Sequence, residues 1–260
     1  MKLLPGRGPE VENEAARVFE IAEIAYRRFP SHPEFGVAAP WHRAGGLLMF
    51  AHVDGRSPMH TLRHATPDEA AALATRLGRW LALFHGAGER YQSPDEDDLR
   101  KRSWTLTARW SRMGRVPRAA SHGLQILARV GPPRTGRGFV WQHGDAKPDN
   151  FLFNGRKLVG IDIDGRSWNV PENDLSQLDV QMRIGSLSRL GGIDSTRTRR
   201  LCDGLAAGYA AQAPLDLSTL QAYRWLYLLS FWASWRSAGA IARWRWDPAF
   251  ARLAATLEPP

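Results

Sequence analysis

The segment His143-Gly144-Asp145-Ala146-Lys147-Pro148-Asp149-Asn150 places a histidine, two acids, a lysine and an amide within eight residues, and Asp162-Ile163-Asp164-Gly165 follows it. Short apolar runs lie on both sides of this segment. Phe139–Gln142 precedes it, and Phe151–Phe153 and Lys157–Ile161 follow it with an Asn-Gly turn signal between them. The pattern predicts three strands, of which the last two pair as a hairpin.

The predicted hairpin brings polar side chains together at one rim of a small sheet. Asn150 stands just before its first strand and Asp162 just after its second. Two such oxygen-bearing groups suit Mg²⁺, which prefers a few hard oxygen ligands together with waters and phosphate oxygens. Asp145 and Lys147 lie on the loop at the same rim. There Asp145 would accept a proton from an attacking hydroxyl, and Lys147 would place positive charge beside a transferring phosphoryl group.

Taken together, these residues resemble the catalytic and metal-binding loops of the protein-kinase-like fold. The His-Gly-Asp opening is similar to that of its aminoglycoside phosphotransferase and choline kinase branch. The resemblance implies an ATP- and Mg²⁺-dependent phosphotransferase. Asp145 would be its catalytic base and Lys147 would act on the γ-phosphate. Asn150 and Asp162 would bind the metal ion. A single Asp or Asn is usually a cap or a solvated group, so the assignment depends on several matching residues together.

Other segments fit the same family. His143 would be a structural histidine that braces the loop, and Asp174 resembles the helix-capping aspartate that holds the loop backbone. Gly46–Gly55 resembles the strand and hinge whose backbone hydrogen-bonds adenine. Leu77–His85 resembles the helix that ends in Leu-His in these phosphotransferases.

The amino-terminal part departs from the family pattern. In this fold a lysine on a strand contacts the ATP phosphates and pairs with a glutamate on the next helix, behind a Gly-rich hairpin. Lys2 is the candidate lysine and Glu14 its expected partner, with Glu12 as second choice. No Gly-rich hairpin precedes Lys2. Three explanations stay open: the true gene start lies further upstream, the lobe is truncated, or the protein has lost catalysis. For this sequence, we expect a partial N-lobe over residues 1–54. A helical C-lobe that carries the catalytic and metal-binding loops is expected over residues 55–260.

A second departure concerns the acceptor. Small-molecule members more often carry His-Pro-Gly where this chain has Lys147-Pro148-Asp149, whereas Lys-Pro-Glu belongs to protein kinases. No Ala-Pro-Glu signature follows Asp162, which disfavours a protein substrate. We therefore expect a hydroxyl of a small molecule as acceptor: an aminoglycoside, amino alcohol, sugar or lipid-linked sugar. The alternative is a pseudokinase that serves as a binding or regulatory module. The complete loop residues favour the enzyme, and the missing hairpin favours the alternative.

Hydrophobic periodicity elsewhere predicts a helix-rich α+β protein, in keeping with a protein-kinase-like two-lobe fold. Its smaller lobe would hold a partial sheet and a helix, and its larger lobe would be mostly helical. Helices are predicted at 11–29, at 67–85 and from 95–98 towards 113. Residues 174–257 are predicted to be helical with breaks near Gly191-Gly192 and Pro214. Strands are predicted at 1–4 and 46–53. The Gly-rich segment 131–138 is interpreted as a connecting loop, because a strand and not a helix follows it.

Composition limits the partners. The chain has 35 Lys+Arg against 26 Asp+Glu and a formal net charge of +9, which favours anionic ligands. All but four of its basic residues are arginine and no nucleic-acid motif occurs, so nucleic acid is not expected as a partner. The one cysteine, Cys202, suits a reducing compartment. The longest apolar run, Trp225–Trp235, is shorter than the roughly 20 residues that a membrane span needs. We expect a cytoplasmic protein.

Overall fold

The structure, a computed structural model, describes most of the chain. The described residues are 2–4, 8–29, 32–62, 64–86, 98–129, 138–164, 168–187 and 194–257. Within these ranges the helices are α1 (Pro9–Arg28), α2 (Pro58–Leu62), α3 (Pro67–His85), α4 (Asp98–Ser111), α5 (Arg118–Arg129), α6 (Glu172–Gly185), α7 (Ser195–Ala210), α8 (Leu217–Arg236) and α9 (Ala240–Ala255). The strands are β1 (Lys2–Leu3), β2 (Phe35–Val37), β3 (Pro40–Ala44), β4 (Leu47–Phe50), β5 (Val140–Trp141), β6 (Phe151–Phe153), β7 (Leu158–Gly160) and β8 (Trp168–Asn169). The predicted helix-rich α+β class is confirmed.

Some sequence predictions fall outside the described residues. They concern residues 131–137 of the predicted loop, the break near Gly191-Gly192, and the acidic positions 95–97 before α4.

The first sheet covers one side of α1. Its strands are antiparallel in the order β1-β4-β3, with Leu3 opposite Leu47. α1 begins with a proline and carries acids in its first turn and arginines in its last turn, which complements the helix dipole. Ala15 and Val18 of this helix are buried against Leu4 and Leu48. The amino-terminal elements therefore form a small hydrophobic core of their own.

The second sheet holds the predicted hairpin. β6 and β7 are antiparallel, with Phe151 opposite Gly160, and β2 adds to β7 in parallel. The sequence pattern did not reveal β2 or β3. β2 is buried at every residue and so lacks the alternation that marks a half-exposed strand, whereas β3 is an exposed edge strand that begins at Pro40. The residues before position 54 are thus hydrogen-bonded to the strands beside residues 143–150, and the division into lobes at residues 54 and 55 stays a prediction.

The helical part contains two further hydrophobic clusters. One joins α3, α6 and α7 to the second sheet, and the other fills the space among α4, α5, α8 and α9 around Trp110, Trp225 and Trp232. α3 spans the predicted residues and begins with a capping box between Thr66 and Glu69. Among the described residues, no helix combines the length and the apolar content needed to cross a bilayer. Cys202 is buried in the first of these clusters, and burial raises the pKa of its thiol.

α3 and α7 pack closely because glycines line their contact. A Cβ atom on Gly208 would overlap the Thr75 carbonyl oxygen, and a Cβ atom on Gly78 would overlap the Leu205 carbonyl oxygen. Backbone oxygens cannot rotate away as side chains can. Any larger residue at these positions must therefore push the two helices apart.

Gly208→Ala is expected to lower the free energy of unfolding by about 1–3 kcal/mol, which is the usual cost of overpacking a close helix contact. Urea denaturation measures the change. Gly86→Ala is the matched control, since its Cβ atom would lie no closer than 3.4 Å to a neighbour. The control should stay within about 1 kcal/mol of the wild type. Equal stability of both variants would contradict the packing argument.

Candidate functional site

The loop that carries the predicted site begins at a tight turn after β5. Gly144 has a φ of 81°, a backbone conformation that favours glycine. Its Cα also lies so close to Asp164 that a Cβ atom there would be 2.9 Å from the Asp164 Cβ. The Asp164 backbone N–H donates to the His143 carbonyl oxygen at 2.8 Å. The turn therefore holds the segments around residues 143 and 164 side by side.

A buried carboxylate fixes this turn. Asp174 lies in the first turn of α6 and is fully buried. It accepts the backbone N–H of His143 at 2.5 Å and that of Gly144 at 3.2 Å. His85 Nε2 lies 3.1 Å from the same carboxylate, and Tyr209 Oη lies 3.0 Å from His85 Nδ1. Helices α3, α6 and α7 thus meet directly beneath the loop.

His143 packs as an apolar ring. It lies among Trp80, Phe84 and Phe151, and neither ring nitrogen has a hydrogen-bond partner among the described residues. Burial lowers the pKa of His143, and the nearby charges of Asp174, Asp145 and Asp162 oppose that shift without cancelling it. The ring is therefore neutral near neutral pH. A packing role agrees with the bracing position that the family resemblance implies.

Asp145, Lys147 and Asn150 meet on the loop. Lys147 Nζ lies 2.5 Å from Asp145 Oδ2, and Asn150 Nδ2 donates to the same oxygen at 2.9 Å and to the Asp145 carbonyl oxygen at 2.8 Å. Partial burial alone would raise the pKa of Asp145, but hydrogen bonds from Lys147 and Asn150, together with the charge of Lys147, lower it overall. The carboxylate is therefore ionised at neutral pH.

The hairpin brings Asn150 next to the segment that contains Asp162. The Ile161 backbone N–H donates to the Asn150 carbonyl oxygen at 2.9 Å. Because Asn150 Nδ2 points at two acceptors on Asp145, its side-chain oxygen is turned the other way and remains an acceptor. Asp162 has a φ of 52°, the one left-handed non-glycine residue among those described. Strained backbone of this kind tends to occur at functional positions.

A cavity of about 580 Å³ opens beside Asp162. Its other walls are Phe50–Val53, from the end of the predicted strand and hinge, together with Ala38, Leu152 and Ile161. Sequence reasoning found the hinge segment but not Ala38 or Leu152. Neither residue carries a functional group, and only the pairing of the strands brings them to the cavity.

The structure describes only part of the predicted Lys2–Glu14 pair. The Lys2 backbone pairs with Leu48 in the first sheet, but its side chain lies outside what the structure describes. Glu14 is half-buried on α1, and Glu12 is exposed. The Lys2–Glu14 pair therefore stays a prediction. Among the described residues, no group of three or more His, Cys, Asp and Glu side chains is arranged to hold a metal ion.

Sequence reasoning missed one polar contact to the loop. Ser57 Oγ donates to Asp149 Oδ1 at 2.7 Å, across 92 residues of sequence. The only available signal was a serine immediately before Pro58, which is a common way to begin a helix. That signal predicts a cap, but it does not identify Asp149 as a partner.

Comparison with family models gives one match. The model of the phosphotransferase enzyme family matches residues 7–177, which is more than half of the chain. No curated protein sequence is significantly similar to the chain.

Several solved structures share the fold. A glucosamine kinase in complex with glucosamine, ADP and inorganic phosphate matches with a TM-score of 0.62 and 14% identity, over 91% of this chain and 66% of that one. A choline/ethanolamine kinase family protein from Mesorhizobium loti matches with a TM-score of 0.55 and 19% identity, over 97% and 81% of the two chains. An amicoumacin kinase in complex with AMP-PNP and Ca²⁺ has a TM-score of 0.55 and 15% identity, over 93% of this chain and 79% of that one. The chain thus spans about two thirds of the length of the glucosamine kinase, and its predicted kinase-like fold is confirmed.

Lys147→Met is expected to raise the pKa of Asp145, because it removes a hydrogen bond and a positive charge from the carboxylate. A carbon-13 NMR titration of the Asp145 carboxyl measures the shift. The wild-type pKa is lowered, so the contribution of this contact to stability is present at neutral pH and is lost as the pH falls through that lowered pKa. Lys157→Met is the control, because it also removes a lysine charge but the end of the Lys157 side chain lies against Gly36 of β2. The control should leave the pKa of Asp145 unchanged. An unchanged Asp145 pKa in Lys147→Met would contradict the contact.

Asp174→Ala is expected to lower the free energy of unfolding by about 3–5 kcal/mol, because it leaves buried donors without an acceptor. Urea denaturation measures this cost. Asp194→Ala is the matched control: Asp194 also lies at a helix amino terminus, but it is exposed, and its side chain accepts the Arg197 N–H. The control should cost about 1 kcal/mol, the usual value for a lost N-cap. Equal losses in the two variants would show that the buried carboxylate has no special role.

Proposed function

The chain belongs to the phosphotransferase enzyme family, and on that premise we propose that it transfers the γ-phosphate of ATP to a hydroxyl of a small molecule with the help of Mg²⁺. The observation that carries the proposal is the meeting of Asp145, Lys147 and Asn150 on one turn beside Asp162 and an open cavity. Such a site needs one group for the acceptor hydroxyl, one cation for the phosphoryl group, and oxygen ligands for a metal.

Asp145 is the proposed catalytic base. Among the described residues, its bonds to Lys147 and Asn150 both end on Oδ2, which leaves Oδ1 for the acceptor hydroxyl. The lowered pKa keeps the carboxylate charged, so it can orient the hydroxyl and take its proton. The new bond from the acceptor oxygen to the γ-phosphorus then forms as the bond to the β–γ bridging oxygen breaks and ADP leaves. Asn150 holds the carboxylate in place during this step.

Lys147 is the proposed contact to the transferring phosphoryl group. Its ammonium already lies at the base, and its side chain is 37% exposed, so it can turn towards a phosphate without leaving the site. A positive charge there stabilises the negative charge that spreads over the phosphoryl oxygens in the transition state. This residue would compensate for the absence of the family's more usual His-Pro-Gly sequence.

Asn150 and Asp162 are the proposed Mg²⁺ ligands. The fixed orientation of the Asn150 amide supplies one oxygen, and the Asp162 carboxylate at the cavity supplies another, which suits a hard cation. When bound, Mg²⁺ would neutralise phosphate charge and orient the β- and γ-phosphates.

The cavity beside Phe50–Val53 is the proposed site for the nucleotide base. Its walls are mostly apolar, and it opens towards Asp162, where the phosphates would lie. Solved structures with the same fold contain ADP or AMP-PNP, which supports ATP as the donor. Lys2, on β1 of the first sheet, is the proposed contact to the phosphates, and Glu14 on α1 is its proposed partner.

The acceptor is proposed to be a sugar or an amino alcohol. Glucosamine and amicoumacin appear in the solved neighbours, which supports a small acceptor with hydroxyl groups. The formal charge of +9 argues against a polycationic aminoglycoside, because its binding needs clustered carboxylates.

The test measures ADP formation from ATP and Mg²⁺ with glucosamine, choline, ethanolamine and one aminoglycoside as separate acceptors. Wild type is expected to turn over with at least one of them. Asp145→Asn should lower kcat by about 10²–10⁴-fold, the usual loss for a general base. Asp162→Ala should abolish the response to Mg²⁺. Asp68→Asn, a surface carboxylate that pairs only with Arg200 on the described surface, should keep wild-type kcat.

Isothermal calorimetry with Mg²⁺ and AMP-PNP separates the two functions that the sequence left open. Nucleotide binding without turnover on any acceptor would favour a binding module. An absence of nucleotide binding would overturn both the kinase and its nucleotide site. Equal kcat in Asp145→Asn and wild type would remove Asp145 from the base role.

A further inference from the structure

The turn Pro148–Asn150, called the catalytic turn below, is hydrogen-bonded to the segment that follows the cavity wall. Ser57 precedes α2, and its hydroxyl lies 2.7 Å from Asp149 Oδ1 and 3.3 Å from the Pro148 carbonyl oxygen. Asp149 and Pro148 belong to the 3₁₀ turn Pro148–Asn150. The contact joins residues 92 positions apart, so it is a tertiary link and not a local turn.

The Ser57 hydroxyl acts both as a donor and as an acceptor. A hydroxyl has one proton to donate, and the shorter distance assigns that proton to Asp149. One of its two lone pairs accepts the Met59 backbone N–H at 3.2 Å. Ser57 therefore serves the first turn of α2 and the catalytic turn at the same time. A carboxylate acceptor makes this bond stronger than a bond between neutral groups.

Backbone contacts hold the residues before Ser57 against β6. Arg56 and Phe153 exchange two hydrogen bonds, at 3.0 and 2.9 Å. A Cβ atom on Gly55, whose φ is 155°, would lie 3.1 Å from the Phe153 nitrogen. Residues 55–57 thus approach β6 closely at Gly55, pair with it at Arg56 and contact the catalytic turn at Ser57. This segment begins where the cavity wall Phe50–Val53 ends.

Asp149 stands between two proposed site residues. Lys147 lies two positions before it and Asn150 follows it directly, and the Asn150 N–H donates to the Lys147 carbonyl oxygen at 2.9 Å to close the turn. A rotation of this turn would change the positions of both side chains relative to Asp145. Asp149 is itself exposed, so its bond to Ser57 adds little to the core.

We propose that Asp149 is a positioning residue, which through Ser57 fixes the turn of Lys147 and Asn150 relative to the cavity. The inference rests on the proposed function in that it gives Lys147 and Asn150 their roles in phosphoryl transfer. It also explains why this chain has an aspartate in the Lys147-Pro148-Asp149 sequence, where small-molecule members more often have glycine: the carboxylate is the acceptor for Ser57.

The test is a double-mutant cycle of Ser57→Ala and Asp149→Ala, each alone and together. Each single variant should lower kcat about threefold to tenfold, the rate equivalent of one partly exposed hydrogen bond, and the double variant should lose no more. KM for ATP should stay within about twofold, because neither substitution changes the proposed site for the nucleotide base. Asp149→Asn and Ser57→Thr keep an acceptor and a hydroxyl, so both should restore most of the wild-type kcat. Asp68→Ala is the matched surface control and should have wild-type kcat.

A second measurement does not need turnover. Hydrogen exchange of the Asn150 amide, followed by NMR on the full chain, should quicken severalfold in Ser57→Ala and in Asp149→Ala and stay unchanged in Asp68→Ala. Unchanged Asn150 exchange in both single variants would overturn the inference, whether or not the wild type is active. Additive losses of kcat would overturn it too. A wild type that makes no ADP with any acceptor would refute the proposed phosphotransfer. The exchange data alone would then test whether the Ser57–Asp149 hydrogen bond fixes the turn.

Discussion

The buried carboxylate of Asp174 is the interaction on which the rest of the structure depends. A buried carboxylate is tolerated only when donors surround it, and here the backbone at the start of the loop and the His85 ring provide them. Because the donors are N–H groups of residues 143 and 144, the loop cannot shift without exposing that charge to an apolar interior. The proposed chemistry of Asp145 begins one residue beyond this anchor. The helical core and the loop are therefore a single mechanical unit.

The parts of the fold and of the candidate site that depend on residues close together in the sequence could be predicted from it. The loop, the hairpin of β6 and β7 and the exact span of α3 all follow from turn residues, caps and periodicity within short windows. The proximity of Asn150 and Asp162 follows from the same hairpin, since pairing of adjacent strands fixes which ends meet.

The remaining features depend on contacts between distant parts of the chain. β2 is too short and too buried to show alternation, and its partner β7 lies more than 120 residues away. The bond from Ser57 to Asp149 and the bond from Tyr209 to His85 join residues that carry ordinary local roles in sequence. The close α3–α7 packing needs glycines whose reason appears only once two backbones touch. Periodicity identifies the elements, but it contains no information on which of them meet.

The left-handed backbone of Asp162 has a consequence for how such a chain evolves. The conformation disfavours every residue except glycine and, to a lesser degree, Asn and Asp. Glycine at this position would relax the backbone and remove the carboxylate proposed to bind the metal. Selection on this backbone conformation alone would therefore favour glycine or asparagine here. The identity of this one residue in related chains then serves as a record of whether selection has kept the activity.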